Sequence, residues 1–218
     1  MIATLIWLAL VVGIILVWRC APWPCPAWLV PLLENPYVEA VAGAKVILER
    51  AGICPDMRVL DAGCGPGRLT VPASIMVGPS GHVVAVDIQR RMLQMLRDRI
   101  EENGLTNVEL VHAGLGEGRL AANEFDIALL VTVLGEIPNK VAALREIYEC
   151  LRPGGVLSIT EVLPDPHYQS FSRVCRLVAD SGFRELAIFR GCLSYTLNVG
   201  KPAPDNPELL CHQSQERN

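Results

Sequence analysis

Short apolar runs alternating with helical segments constrain this chain more than any other feature, because the pattern has few solutions besides a parallel sheet with helices on both faces. The runs fall at residues 57–61, 82–86, 108–111, 127–133 and 156–159, and helices are predicted at 67–77, 89–103, 138–151 and 166–181. Two further strand candidates, 183–190 and 192–199, are separated only by Gly191, so they are expected to pair antiparallel. Ahead of the series, Asn35 and Pro36 offer a helix cap and first turn, and Val38, Val41, Ala42, Ile47 and Leu48 trace an apolar face ending near Gly52. The expected class is α/β and doubly wound, and 218 residues suffice for one such domain with a full core.

The first run leads into "MRVLDAGCGPGRLTV", residues 57–71. A dinucleotide turn reads G-x-G-x-x-G, whereas Gly63, Gly65 and Gly67 are spaced evenly by two and Asp61 closes the strand. A carboxylate there would repel a pyrophosphate. It can accept hydrogen bonds from a ligand with an amino group and no phosphate, such as S-adenosylmethionine.

The string D-x-G-C-G-P-G closely resembles motif I of the class I S-adenosylmethionine-dependent methyltransferases. The resemblance continues in order through "GHVVAVDIQRRML", "FDIALLVTVLGEIPN" and "ALREIYECLRPGGVLSITE", and covers roughly residues 36–200. It implies a Rossmann-like sheet of seven strands with an antiparallel last strand, and S-adenosylmethionine as cofactor. The cofactor contacts it implies are Asp61, Gly63, Gly65, Gly67, Asp87, Ile88, Leu115 and Val131, with Asp87 on the ribose hydroxyls. Two positions depart from the family pattern. Ala113-Gly114 stands where many relatives carry an acid for the adenine amino group, leaving Glu117 or main-chain groups near Leu115 to serve, and Gly135 stands where many have His.

Methyl transfer from a sulfonium gains mainly from proximity and in-line alignment, and needs a base only if the acceptor must lose a proton. Candidate catalytic residues are Glu136, Glu161 and His167, the last because imidazole suits proton transfer near neutral pH. Each has an alternative role. Glu136 can cap the next helix, Glu161 can pair with a cation, and His167 can lie exposed behind Asp165-Pro166, a good helix start.

A net charge of -4 argues against a nucleic-acid partner. Eight scattered cysteines show no C-x-x-C pair and no metal-ligand spacing, so no metal is expected, and arsenite methylation lacks the thiols it would need beyond Cys64. Residues 2–18 carry no charge and as a helix would span about 26 Å, close to a bilayer core, with Trp18 and Arg19 at the boundary. The segment lacks the basic start and small-residue cleavage site of a signal peptide. It is expected to be a single-pass anchor with the catalytic domain in the cytoplasm. Residues 19–35, with prolines at 22, 24, 26 and 31 and tryptophans at 23 and 28, are expected to run extended along the membrane surface. The methyltransferase domain is then 36–200, and the polar tail 201–218 is expected to be disordered.

The expected function is S-adenosylmethionine-dependent methylation of a small, lipophilic, membrane-associated acceptor such as a quinone precursor or phospholipid. O-, N- and C-methylation stay open. A non-catalytic cofactor-binding membrane module and a nicotinamide-dependent oxidoreductase are the alternatives.

Overall fold

The computed structural model describes residues 24–27, 30, 39 and 42–203. The expected span 2–18, most of segment 19–35 and the tail beyond 203 lie outside the described residues. No helix among the described residues is long and apolar enough to cross a membrane.

In chain order the elements are α1 (Ala44–Ala51), β1 (Arg58–Ala62), α2 (Thr70–Val77), β2 (His82–Asp87), α3 (Arg90–Glu102), β3 (Val108–His112), β4 (Phe125–Val131), α4 (Lys140–Cys150), β5 (Leu151–Val162), α5 (Phe171–Asp180), β6 (Arg184–Arg190) and β7 (Ser194–Gly200). They form one sheet ordered β3-β2-β1-β4-β5-β7-β6. The pairs among β1 to β5 are parallel, and β7 runs antiparallel between β5 and β6. The seven-stranded, doubly wound sheet with its reversed last strand is thus present.

Central strands read as continuous apolar runs because both faces are covered. Alternate residues go to opposite sides. Leu60 and Leu130 pack with Leu144 and Ile147 of α4 and Val174 of α5, while Val59 and Leu129 pack with Ile47 and Leu48 of α1 and Ala73 and Val77 of α2. The outer strand β6 carries Arg184, Glu185 and Arg190 toward solvent, which suits an unpaired edge.

Several boundaries differ from the sequence expectation. The helix expected from Asn35 to Gly52 is interrupted: Gly43 is extended, at φ −58° and ψ 142°, and α1 begins after it. Segment 19–35 does not run extended throughout, since Val30 is helical and buried. The prolines at 24 and 26 bar a helix only up to that point. The helix expected from 166 starts at Phe171, because the Asp165 carboxylate takes the His167 N–H at 2.6 Å in a local turn instead of capping a helix. Strand β5 begins at Leu151, five residues early, and a register shift against β4 absorbs the Arg152–Gly155 stretch. Lys201 is not part of a loose tail: its N–H bonds the Gly155 carbonyl at 2.9 Å and its ammonium the Leu151 carbonyl at 2.6 Å.

Candidate active site

Ligands of open α/β sheets lie beyond the carboxyl ends of the strands where the strand order reverses, here between β1 and β4. The sequence-predicted residues all come from that edge. Asp61 lies near the end of β1 and Gly63, Gly65 and Gly67 in the turn after it; Asp87 ends β2, with Ile88 next; Leu115 follows β3; Val131 ends β4, with Glu136 beyond; Glu161 is near the end of β5, with His167 beyond.

The cofactor side is held by main chain. The Gly65 N–H donates to Asp87 Oδ2 at 2.9 Å and the Gln89 N–H to Oδ1 at 2.7 Å, so the Asp87 carboxylate is fixed with a lone pair on each oxygen left for a diol. Burial raises its pKa, opposed by those two N–H groups and by His112. Asp61, 3% exposed, accepts the Thr70 hydroxyl at 2.6 Å, and burial pushes it up to about 6 against the pull of Thr70 and Arg68. Gly65 sits at φ +53°, and a Cβ built on it meets nothing within 4 Å. The turn therefore borders open space at its middle glycine, beside a fixed carboxylate. Ile88 is 56% exposed next to Asp87, and His112 Nε2 at 2.9 Å from the Ile88 carbonyl holds the main chain there. At the position lacking the family's acid, the Glu117 carboxylate folds over Gly114, 2.6 Å from where a Cβ would stand. This donor and acceptor set fits S-adenosylmethionine: Asp87 for the ribose hydroxyls, the Gly63–Gly67 main chain and Asp61 for the amino-acid end, and Ile88 as an apolar face for the adenine.

The other side of the cleft is made of side chains from distant parts of the chain. Glu136 does not cap α4; Asn139 does, its Oδ1 accepting the Ala142 N–H at 3.1 Å. Instead Glu136 Oε2 accepts the Cys25 N–H at 3.1 Å, and the Cys25 carbonyl accepts Gln89 Nε2 at 2.8 Å. Residues 24–27 thus bridge the loops after β2 and β4. His167 is buried, 6% exposed, with Nδ1 3.9 Å from Glu136 Oε1. Its carbonyl fills the space that any Cβ at position 135 would occupy, so Gly135, the departure from the family pattern, is what admits His167. Among the described residues Glu161 makes no direct cation pair: its Oε2 takes the Gln169 N–H at 3.0 Å, while the nearby Lys140 ammonium donates to the Gly135 and Ile137 carbonyls at 3.3 and 2.7 Å. Burial pushes both Glu136 and Glu161 up to about 8 and raises Asp165, so this is a cluster of acids reluctant to ionise.

Sequence reasoning missed Cys25, Gln89, Lys140 and Glu146, and reached Gln169 only as the end of the candidate stretch 165–169. Glu146 of α4 gathers the Gly116, Arg119 and Leu120 N–H groups and so sets the loop carrying Leu115. Gln89 and Glu146 lie inside the quoted family strings, but each acts through a partner distant in sequence or through main chain. Cys25 borders Glu136 and Cys64 packs with Ala85, Leu93 and Leu96; burial pushes the Cys25 thiol up to about 12 and that of Cys64 well up, so neither offers a thiolate.

Residues 53–193 match the family model described as "Methyltransferase domain". The chain is 37% identical over 118 residues to a ubiquinone/menaquinone biosynthesis C-methyltransferase of Vibrio campbellii, covering 54% of this chain and 46% of that one. It is 36% identical over 100 residues to a demethylmenaquinone methyltransferase of Listeria welshimeri, covering 46% of this chain and 42% of that one. It spans less than half the length of these curated relatives. Among solved structures, a SAM-dependent methyltransferase of Aquifex aeolicus superposes with a TM-score of 0.76 at 23% identity, covering 81% of this chain and 99% of that one. A phosphoethanolamine N-methyltransferase of Haemonchus contortus gives 0.59 at 21% identity, covering 67% and 38%.

Proposed function

From a chain that belongs to the methyltransferase-domain family and has S-adenosylmethionine as its cofactor, we propose an enzyme that methylates a small, lipophilic, membrane-associated acceptor, of the quinone type and at carbon. The observation carrying the methyl-transfer part is the Asp87 carboxylate fixed by the Gly65 and Gln89 N–H groups beside the open space at Gly65. The named activities of the Vibrio and Listeria relatives support the acceptor class.

The cofactor supplies an activated methyl group. The chain's part is to exclude water, align the acceptor and take its proton. Glu136, His167 and Glu161 are the groups proposed to touch the acceptor; a carboxyl pushed up to about 8 is a stronger base than an ordinary one once ionised, so its share in taking the proton grows as pH rises through about 8. The proposed cofactor contacts are Asp61, Gly63, Gly65, Gly67, Asp87, Ile88, Leu115 and Val131.

The anchor is part of the same proposal. Residues 2–18 carry no charge, and Cys25, seven positions past Trp18, already rests on Glu136. A membrane span ending at Trp18 would keep the cleft within about 25 Å of the bilayer, the full reach of seven residues, with the domain on the cytoplasmic side. Such tethering raises the effective concentration of a lipid acceptor.

Methyl transfer from labelled S-adenosylmethionine into a lipid extract tests the acceptor class, and label entering only water-soluble products would overturn it. Two truncations separate tether from cleft. A chain starting at residue 19 should keep turnover on a short-chain, soluble acceptor analogue and lose most of it on membranes. A chain starting at residue 35 also loses Cys25 and should be impaired on both, while still binding S-adenosylmethionine. Equal activity of all three on membranes would remove the anchor from the mechanism.

A further inference from the structure

We propose that the carboxyl edge of the sheet, which carries the cleft, is also a docking face for an anionic lipid surface, so that the domain lies cleft-down on the bilayer. The inference rests on the membrane-associated acceptor proposed above and names the surface that meets the membrane.

The crossovers return the chain to the amino edge, so α3, α4 and α5 start at the carboxyl edge, and α1, which leads into β1, does the same. The positive ends of the helix dipoles lie there and favour acids. None of α1 to α5 has an acid in its first turn. Four of them instead carry exposed or half-buried cations in it: Lys45 in α1, Arg90 and Arg91 in α3, Lys140 in α4 and Arg173 in α5. The reverse holds at the far ends of α4 and α5, whose last turns hold Glu149 and Asp180 and no base. Arg190, ending β6 level with Tyr195 and so with Glu161, adds a cation to the carboxyl edge, stacked 4.2 Å over the Phe171 ring. The acids of the cleft are withdrawn by burial, which leaves Glu39 and Glu117 as the exposed ones at that edge among the described residues.

A chain of net charge -4 is thus cationic along one edge, against the preference of its own helices. Cations set where they weaken their helices call for a partner outside the fold. The cofactor is not that partner, since S-adenosylmethionine has no phosphate and carries a positive sulfonium. The same edge exposes apolar side chains. Val141 follows Lys140, and Leu163 and Leu193 are joined where the Leu163 N–H donates to the Leu193 carbonyl at 2.7 Å, tying the loop after β5 to the turn between β6 and β7. Apolar groups among cations suit the boundary of an anionic bilayer, with phosphates for the cations and acyl chains for the rest. The path of the chain agrees: Cys25, seven positions past Trp18, rests on Glu136 at this edge, so the uncharged residues 2–18 join the domain from the cleft side. A lipophilic acceptor would then pass from bilayer to cleft without crossing water.

Two exposed cysteines at opposite edges report on the docking, Cys192 in the turn between β6 and β7 and Cys54 ahead of β1. The full chain is placed in nanodiscs of phosphatidylcholine, alone or mixed equally with phosphatidylglycerol, and alkylated with a neutral polyethylene-glycol maleimide, each site being read by mass spectrometry. Cys192 should react about tenfold or more slowly in the anionic discs than in the neutral ones, and Cys54 alike in both. The difference should vanish in about 1 M salt, where the Debye length is about 3 Å. Arg90→Gln, Arg91→Gln and Arg173→Gln together should restore Cys192 labelling in anionic discs, leave S-adenosylhomocysteine affinity unchanged and raise Tm, because they remove charges of the wrong sign from α3 and α5. A lower Tm with labelling unchanged would assign these arginines to the fold and overturn the docking face. Equal labelling of Cys192 in both kinds of disc overturns it alone, and protection by an RNA oligonucleotide in that case would give the edge to nucleic acid. A chain that enters neither disc yet floats with anionic vesicles keeps the docking face and loses the anchor; one that does neither overturns both.

Discussion

The two sides of the cleft are built from different materials. Around Asp87 and Gly65 the contacts are short in sequence or made by main chain, and the side chains involved close one strand end or open one helix. Around Glu136, His167 and Glu161 the contacts join residues 24–27, the loop after β4, the loop after β5 and the start of α4. The contrast matches the two tasks. A cofactor that does not change needs a fixed diol acceptor and a turn without side chains, whereas an acceptor is chosen by groups that can be exchanged without moving the sheet.

The two sides should therefore fail separately, and the largest effect is expected at Gly65. Because a Cβ there meets only open space, Gly65→Val should leave the fold standing, at the cost of φ strain, yet abolish S-adenosylmethionine binding by filling the cradle. Isothermal titration with a parallel melting curve checks both halves of the statement. Normal binding would mean that the cofactor does not lie over this turn.

Gly135→Ala is the mirror case. Its Cβ would run into the His167 carbonyl, which is backbone and cannot swing aside, so the 163–170 loop must move at a cost of about 1–3 kcal/mol. Cofactor binding should survive while turnover falls about a hundredfold. Equal loss of both would show that the two sides are one mechanical unit.

What the sequence disclosed follows the same division. Motif I, Asp87 and the alternation of strands and helices were legible because a turn, a strand end and an apolar run are local and repeat the same geometry wherever they occur. The acceptor side was legible only as loose candidates. Nothing near Glu136 in sequence points to Cys25, and a glycine at 135 reads as a missing histidine until the His167 main chain is seen to occupy its side-chain space. The 166–181 helix was placed too early because Asp-Pro is a good helix start in isolation, whereas here the Asp165 carboxylate is already taken by His167 N–H and Gln169 is drawn off to Glu161. Those competing bonds are tertiary.

A smaller effect tests the cofactor side from its side chain. Asp87→Ala removes the fixed acceptor and frees the Gly65 and Gln89 N–H groups, so S-adenosylmethionine affinity should drop by about 1.5–3 kcal/mol, as for a lost charged hydrogen bond. Turnover at saturating cofactor should fall less than affinity does. A pure kcat loss would move Asp87 from cofactor holding to chemistry.

The smallest expected effect separates the two sides by pH. Burial raises Asp61 from 3.8 to about 6, and Glu136 from 4.5 to about 8, so in each window the folded chain binds more protons than the unfolded one. Stability must then fall as pH rises, between about 4 and 6 on account of Asp61 and between about 4.5 and 8 on account of Glu136. Glu136→Gln keeps an acceptor for the Cys25 N–H but cannot ionise. It should flatten the decline up to pH 8 and leave the chain more stable than wild type at pH 8.5, by on the order of 1 kcal/mol, with no change at pH 4. Asp61→Asn should flatten only the lower window. Urea melts from pH 4 to 8.5 read both, and a Glu136→Gln curve parallel to wild type through pH 8 would mean that this carboxyl ionises freely and that water reaches the acceptor side of the cleft.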